Sequence, residues 1–288
     1  MADLAALLIN LDRDTDRLAH MQRELDACGI AFERVPAVDG RHLPERFVAP
    51  FASSALRPGE RGCYVSHLVI HERLAAGAFG DAALILEDDL RIDRDLRQVL
   101  AAILEALPAR WDIVRLSNPP KRAFVPLAAL PGERELVRYS KIPNNTGAYL
   151  MSRAGAQKFL DFGPHRRAVD EDMRRPWTCG LDTYGVVAPP IVSNIFDSSI
   201  DAMGDRDLAA ARQGAARFIP KALTGKTDGP AAAVARLAYN VRCLGVRDWA
   251  HCLLRNGLRT ISKAKTDNVH RNSTHAGYAP FRVERNGQ

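Results

Sequence analysis

A five-residue apolar run, Ala82 to Leu86, stops at three consecutive acids, Glu87, Asp88 and Asp89. The run is apolar at every position rather than at alternate ones, so it reads as a strand buried on both faces of a parallel sheet. Such a strand commits the chain to an α/β architecture with helices on both sides of the sheet. Ligands of open α/β sheets sit beyond the carboxyl ends of these strands. Three carboxylates placed there repel one another unless something positive lies between them. Hard divalent cations take oxygen ligands, and Mg²⁺ typically uses one or two carboxylates plus substrate phosphates. The same acids also suit a solvated loop that starts a helix, since helix N-termini favour negative charge. Spacing alone leaves both readings open.

The flanking segments supply the rest of such a sheet. Leu4 to Ile9 reads as a first buried strand. A helix follows, capped by Asp14 or Thr15, with Leu18, Met21, Leu25 and Cys28 at helical spacing and Gly29 as its stop. Ile30 to Val35 closes a strand–helix–strand unit, for which a right-handed crossover is expected. His42 to Gly59 reads as a loop or short helix, Glu60 to Ala76 as a helix, and Arg94 to Leu107 as an amphipathic helix ended by Pro108. Trp111 to Leu116 is a further strand. Glu135 to Ser140 and Thr146 to Met151 are expected as strands around the turn Pro143-Asn144-Asn145. A helix from Ser152 or Arg153 runs through Phe159. Tyr184 to Val192, interrupted by Pro189 and Pro190, is expected at a sheet edge.

The net charge of +6 is unevenly spread: residues 1–216 carry a balance of −3, and residues 217–288 a balance of +9. This predicts an α/β domain over residues 1–220 and a basic helical extension over 221–288. Lys221 to Gly229 reads as a linker, and Ala231 to Leu244 and Asp248 to Lys265 as two basic helices before a polar tail. Apolar stripes beside arginines make these helices candidates for an anionic membrane surface; packing against the main domain is the alternative. The sparse aromatics of this region and the acidic balance of the main domain argue against a nucleic-acid partner. The five cysteines form no CxxC pair, no signal pattern opens the chain, and no apolar run reaches the ~20 residues of a bilayer span. The expectation is a cytoplasmic protein, with a peripheral position on the inner face of the cytoplasmic membrane as the option its basic helices open.

Six blocks, LLINLDRDTDRL, RVPAVDG, RGCYVSHLVIHERL, AALILEDDL, NNTGAYLMSRAGAQKFL and AVDEDM, occur in one order within the stretch from about Leu4 to Val192. Together they resemble the lipooligosaccharide-type glycosyltransferases of family 25, which are related to the collagen galactosyltransferases. The resemblance implies a GT-A-type, Rossmann-like nucleotide-sugar fold with a mostly parallel sheet. It also implies Mn²⁺ (or Mg²⁺), a UDP-sugar donor (often UDP-galactose), and a glycan or glycolipid acceptor. Glu87, Asp88 and Asp89 match the family's acidic motif, so Glu87 and Asp89 are implied as metal ligands and Asp88 as a donor contact. Asn10, Arg13 and Arg17 fall where nucleotide contacts are expected, and Asp39 where a ribose contact could lie. Each has a plainer alternative in surface ion pairs or a turn. Ser66 and His67 match the family's SH pair and could face the donor. His71 stands where the family commonly has an aromatic residue. Thr146 and Gly147 match the acceptor-side strand. Asp170 is implied as the base that takes the acceptor's proton in an inverting transfer, against salt bridging to Arg166, Arg174 or Arg175. A member that has lost turnover and only binds glycan, in adhesion or regulation, is the alternative function.

Overall fold

The structure, a computed structural model, describes residues 4–163, 165–193, 229–261 and 282–283. Its centre is an eight-stranded sheet. The strands are β1 (Ala5–Asn10), β2 (Glu33–Pro36), β3 (Ala82–Leu86), β5 (Ile113–Arg115), β6 (Phe124–Leu130), β7 (Arg134–Tyr139), β8 (Ala148–Ser152) and β9 (Thr183–Val187), in the order β2-β1-β3-β8-β5-β9-β7-β6. β1, β2, β3, β5, β6 and β9 run one way, and β8 and β7 run against them. The sheet is thus mostly parallel by direction. The reversal of β8 brings its first residues beside the last residues of β3, with Leu86 opposite Ala148.

Alternation along the strands explains the continuous apolar runs. Leu8, Leu84 and Leu86 face one layer, formed by α1 (Thr15–Asp26) and α4 (Leu96–Ala106). Leu7, Ile9, Ala83 and Ile85 face the other, formed by α2 (Glu45–Phe51), α3 (Pro58–Ala75) and α5 (Arg153–Leu160). Both layers are needed, because a strand apolar on both faces is buried only when both faces are covered. Gly29 at φ +64° ends the first helix region, and Ser152 caps α5 by accepting from the Gly155 amide at 3.0 Å.

Two expectations change. The segment Tyr184–Val192 is not an edge: β9 lies between β5 and β7, and its prolines fall just past its end. The chain turns at Ala188 (φ +53°), and Ile191–Val192 then forms β10, which pairs with β4 (Arg91–Ile92) in a separate two-stranded ribbon. The edge strand is β6, a segment for which no strand was expected. Its Pro126 breaks the usual strand signature, and an edge is where a strand tolerates the missing amide. β7 and β8, although separated only by the Pro143-Asn144-Asn145 turn, are not sheet neighbours.

Between β8 and β9 the chain also forms α6 (Val169–Met173) and α7 (Pro176–Cys179), with Val169 and Met173 buried in the layer that holds α3. The expected basic helices form as α8 (Pro230–Leu244) and α9 (Val246–Ile261). They cover the β6 edge, where Ala123 and Val125 pack with Leu244, Cys252 and Val283. Asn256 accepts from the Ala123 amide at 2.9 Å and donates to Ser140 Oγ at 3.1 Å. The expected linker at 221–228 and the polar tail, apart from residues 282–283, lie outside the described residues. Among the described residues no helix is long and apolar enough to cross a membrane.

Candidate active site

The parallel register of β1 and β3 sets Leu8 beside Leu86, so Asn10 and Asp88 follow as neighbours beyond the strand ends. Asn10 Nδ2 donates to Asp88 Oδ2 at 2.7 Å, and Arg17 Nη1 donates to Asp88 Oδ1 at 2.9 Å. Asn10 Oδ1 in turn accepts from Arg34 Nε at 2.9 Å. Burial pushes the Asp88 carboxyl up, with Asn10 and Arg17 acting against that push. Three of the expected donor contacts are therefore bound to one another and fix the acidic loop against α1. Arg13 is half-exposed beside Asp14, at 3.8 Å.

Glu87 continues the β3–β8 pairing, its amide donating to Gly147 O at 2.8 Å. Its side chain lies on the α3 side. Thr146 Oγ1 donates to Glu87 Oε1 at 2.6 Å, and His67 Nε2 lies 3.3 Å from the same oxygen. Burial alone would raise the Glu87 carboxyl, but His67, Thr146 and the nearby Arg115 charge together hold it below the usual carboxylate range. His67 Nδ1 is 2.8 Å from Tyr149 Oη, which is 3.0 Å from His71 Nε2. His71, the departure from the family pattern, thus closes a buried chain Glu87–His67–Tyr149–His71. Burial drives its pKa well down and keeps it neutral. Gly147 is required by space, since a Cβ there would come within 2.8 Å of Asn145 Oδ1 and 3.0 Å of Ser193 Cβ.

Ser66 and Asp39 stand apart from the carboxylates. Ser66 Oγ accepts from the Val38 amide at 2.9 Å and donates to Gly62 O at 2.7 Å, tethering the loop after β2 to α3. Gly40 and Gly62 allow that approach, because a Cβ on Gly40 would sit 1.7 Å from Pro58 O. Asp39 accepts from the Arg41 amide at 2.9 Å, which holds its pKa low. Both residues thus bond within the segment that joins β2 to α3.

Asp170 opens α6. Its Oδ1 accepts from the Glu171 amide at 2.8 Å and its Oδ2 from Asn144 Nδ2. Arg174 reaches Asn144 Oδ1 at 3.5 Å and Arg175 reaches Glu171 O at 3.1 Å. Burial pushes the Asp170 carboxyl up; Arg115 pulls it down, while Glu171 and Glu87 push it further up. Glu87, Asp170 and Asp89 also all press on the half-buried Cys63 thiol, whose pKa burial has already raised well above its ordinary value. The Glu87 carboxylate lies within 4.8 Å of that thiol, and the other acids bear on the volume around it.

Sequence reasoning missed the cation of that volume. Arg115, on β5 opposite Tyr149 and Gly185, is 1% exposed, and none of its three guanidinium nitrogens has a hydrogen-bond partner. Burial lowers its pKa, against the influence of Tyr139, Tyr149, Asp170 and Glu87. The available signal was an arginine inside the apolar strand DIVRL. It also missed Asp172 as a buried brace: Tyr64 Oη donates to Asp172 Oδ2 at 3.0 Å, joining α3 to α6.

The donor set suits a hard divalent cation. Ligand atoms of Cys63, His67 and Glu87 lie within 4.8 Å of one another. The thiol, however, is held protonated and both nitrogens of His67 are engaged. The Glu87 carboxylate is the charged oxygen ligand of that group, the type that Mg²⁺-like ions prefer.

Residues 4–173 match the family described as "Glycosyltransferase family 25 (LPS biosynthesis protein)". The chain is 31% identical over 180 residues to procollagen galactosyltransferase 1-B of Xenopus laevis, a match covering 57% of this chain and 29% of that protein. It is 32% identical over 184 residues to the inactive glycosyltransferase 25 family member 3 of Homo sapiens, covering 57% and 30%. The matched part thus spans less than a third of the length of these relatives. A solved glycosyltransferase involved in glycosylating the major capsid of PBCV-1 superposes with a TM-score of 0.33 at 9% identity, over 54% of this chain and 62% of its own, a likeness too slight to argue from.

Proposed function

This chain belongs to glycosyltransferase family 25, and from that premise we propose that it is an active, inverting, metal-dependent transferase. In this reading it moves galactose from UDP-galactose to a hydroxyl of a lipooligosaccharide or other glycan acceptor. The observation that carries the proposal is the bonding of Glu87 past the end of β3, where Thr146 donates to its Oε1 at 2.6 Å, His67 lies 3.3 Å from the same oxygen and the Cys63 thiol is within 4.8 Å. A chain that had lost turnover would have no need to hold a carboxylate ionised against the push of burial.

Each residue then has a distinct task. Glu87 and Asp89 would hold Mn²⁺ or Mg²⁺, which when bound supplies positive charge at the donor's diphosphate. Asn10, Arg17 and Asp88 keep the acidic loop in place before any donor arrives. Thr146 and His67 fix one Glu87 oxygen, so the carboxylate does not reorient during the reaction. Asp170 takes the proton of the attacking acceptor hydroxyl, and its raised pKa brings its basicity closer to that task. Arg115 offsets the acids without sequestering either of them in a hydrogen bond.

The rival is a glycan-binding protein without turnover, favoured by the relative named as inactive. A screen for UDP release over UDP-sugars, with and without Mn²⁺, separates the two. Release that depends on the donor sugar, on acceptor and on metal supports the transferase; binding of UDP-sugar with no release supports the rival. We also propose a position at the inner face of the cytoplasmic membrane. Val246, Leu253, Leu254 and Leu258 are exposed on α9, with Arg247 and Arg255 on the same helix, a pairing that suits an anionic lipid surface.

A further inference from the structure

A hollow of about 120 Å³ lies between the turn after β7, α7 and α8. Its walls carry Lys141, Arg174, Arg175 and Arg236, with Trp177 and Tyr239 between them. Arg175 is held by Glu171, but among the described residues no carboxylate pairs with Lys141, Arg174 or Arg236. Partial burial, followed by the charges of Arg174, Arg122 and Arg236, pulls the Lys141 pKa down. The Trp177 indole N–H is buried and has no hydrogen-bond partner. The Trp177 and Tyr239 rings are 6.3 Å apart at 59°, and the Arg236 guanidinium lies 5.5 Å from the Trp177 ring.

The larger cleft at the other end of the strands, about 1200 Å³, is built differently. There Arg138 pairs with Asp182 at 2.6 Å, Lys158 with Asp112 at 2.6 Å and Arg153 with Asp81 at 3.3 Å. Three cations of that cleft therefore have an acid each, whereas Lys141, Arg174 and Arg236 have none among the described residues. Like charges gathered at one place destabilise a fold unless an anion joins them. Arginine forks fit phosphate and carboxylate oxygens, and aromatic rings offer an apolar face to a sugar ring. The hollow also adjoins the carboxylate assigned as base, because Arg174 reaches Asn144 and Asn144 donates to Asp170.

We propose that this hollow is the acceptor subsite and that the acceptor is an anionic saccharide, whose phosphate or carboxylate is held by Lys141, Arg174 and Arg236 beside Trp177. The inference rests on the transferase reading only for the word acceptor; binding itself needs no donor and no turnover. The test is calorimetric titration of the full chain with glucose 6-phosphate, glucuronate, glucose and inorganic phosphate. At least one anionic sugar should bind at least tenfold more tightly than glucose, and the preference should weaken as NaCl is raised. A tighter glucose 6-phosphate assigns a phosphate-bearing acceptor, and a tighter glucuronate a carboxylate-bearing one. Arg236→Ala should cut the preference at least tenfold, and so should Lys141→Ala; both side chains are exposed, so thermal melting should match the parent. The proposal is overturned if neither anionic sugar exceeds glucose tenfold, or if both variants keep the preference. It also fails if inorganic phosphate alone binds as tightly as the better sugar, or if UDP competes for the hollow, which would make it a donor site. Loss of transferase activity in the UDP-release screen, with anionic-sugar binding intact, would remove the proposed function and leave the subsite standing.

Discussion

At the ends of β1 and β3 the acids have partners waiting. Asp88 is held by Asn10 and Arg17, and Glu87 by Thr146 and His67. In the hollow under α8, Lys141, Arg174 and Arg236 have no acid to pair with among the described residues. The first region is preorganised, with its charges kept in place whether or not a ligand is present. The second is unbalanced until something anionic enters it. Damage to the strand ends should therefore reduce transfer to every acceptor alike, whereas damage to the hollow should change which acceptor is used.

The sharpest way to break that contrast is at Asp89. Asp89→Ala should lower transfer by ~10³-fold or more, the scale of losing several kcal/mol of charge stabilisation at a diphosphate. The loss should be the same with neutral and anionic acceptors. Circular dichroism and melting should be unchanged, because a half-buried carboxylate past a strand end adds little to the core. Transfer at the parent rate would move the chemistry away from β3 altogether.

Asp170 lies between the two regions and should behave as part of the chemistry. Asp170→Asn should lower kcat by ~10² to ~10⁴ with little change in donor affinity. Because burial raises this carboxyl, the parent's kcat/KM should fall on acidification at a pH above that of an ordinary carboxylate, and the variant should lack that acidic limb. A weaker donor affinity with kcat unchanged would make Asp170 a nucleotide contact instead.

How much of this could be read from the sequence depends on whether a signal is local. The Ala82–Leu86 strand and its acids are contiguous, and the strand forms over those same residues. Helix α5 was legible from Ser152, and α1 from its apolar spacing. Long-range pairing was not legible. Nothing in Asn10 or Arg17 announces Asp88, 71 residues from Arg17, as a partner. The β8 reversal that sets Thr146 against Glu87 depends on sheet order, which periodicity does not encode. β6 was hidden by Pro126, and β9 was pushed to the edge by prolines that in fact follow it. Arg115 illustrates the same limit: its position in an apolar strand is visible, but its lack of a partner is a property of the packed structure.

Arg115 tests whether an unpaired cation inside the preorganised region serves the chemistry or the fold. Arg115→Met removes a buried charge that has no hydrogen bonds, so the melting temperature should hold or rise. Activity should still fall, by ~10-fold or more, and the acidic limb assigned to Asp170 should move to higher pH. A variant that loses stability but keeps the parent's pH profile would make Arg115 a structural residue.

Asp172 separates stability from catalysis. Burial raises its carboxyl to about 6, with Tyr64 opposing. A raised acid stabilises the fold in its protonated form, fully below the unfolded pKa of ~3.9, and that contribution is lost as pH rises through about 6. Asp172→Asn should therefore raise stability at pH 7.5, by at most ~2–3 kcal/mol, and the gain should shrink to nothing near pH 4. A gain that is constant across that range would show that the carboxyl titrates normally in the fold.

The smallest effect is expected on the outer face of α9. Leu254 and Leu258 are 65% and 66% exposed, so they add almost nothing to the packing that Leu244 and Cys252 provide on the inner side. Replacing both with serine should leave the melting temperature and the use of a soluble acceptor unchanged. If the helix lies on lipid, the same change removes two partly buried side chains, each worth ~1.5–3 kcal/mol when fully buried. The exposed arginines would still supply attraction of about 1 kcal/mol each near an anionic surface. Co-sedimentation with phosphatidylserine vesicles should thus weaken by about tenfold and become more sensitive to salt, because the screened term then carries most of the binding. Truncation before α8 is a poorer probe, since it would uncover Ala123 and Val125 and confound lipid binding with unfolding. If the parent ignores the vesicles at low salt, the face is not a membrane surface, and the contrast between the strand ends and the α8 hollow is unaffected.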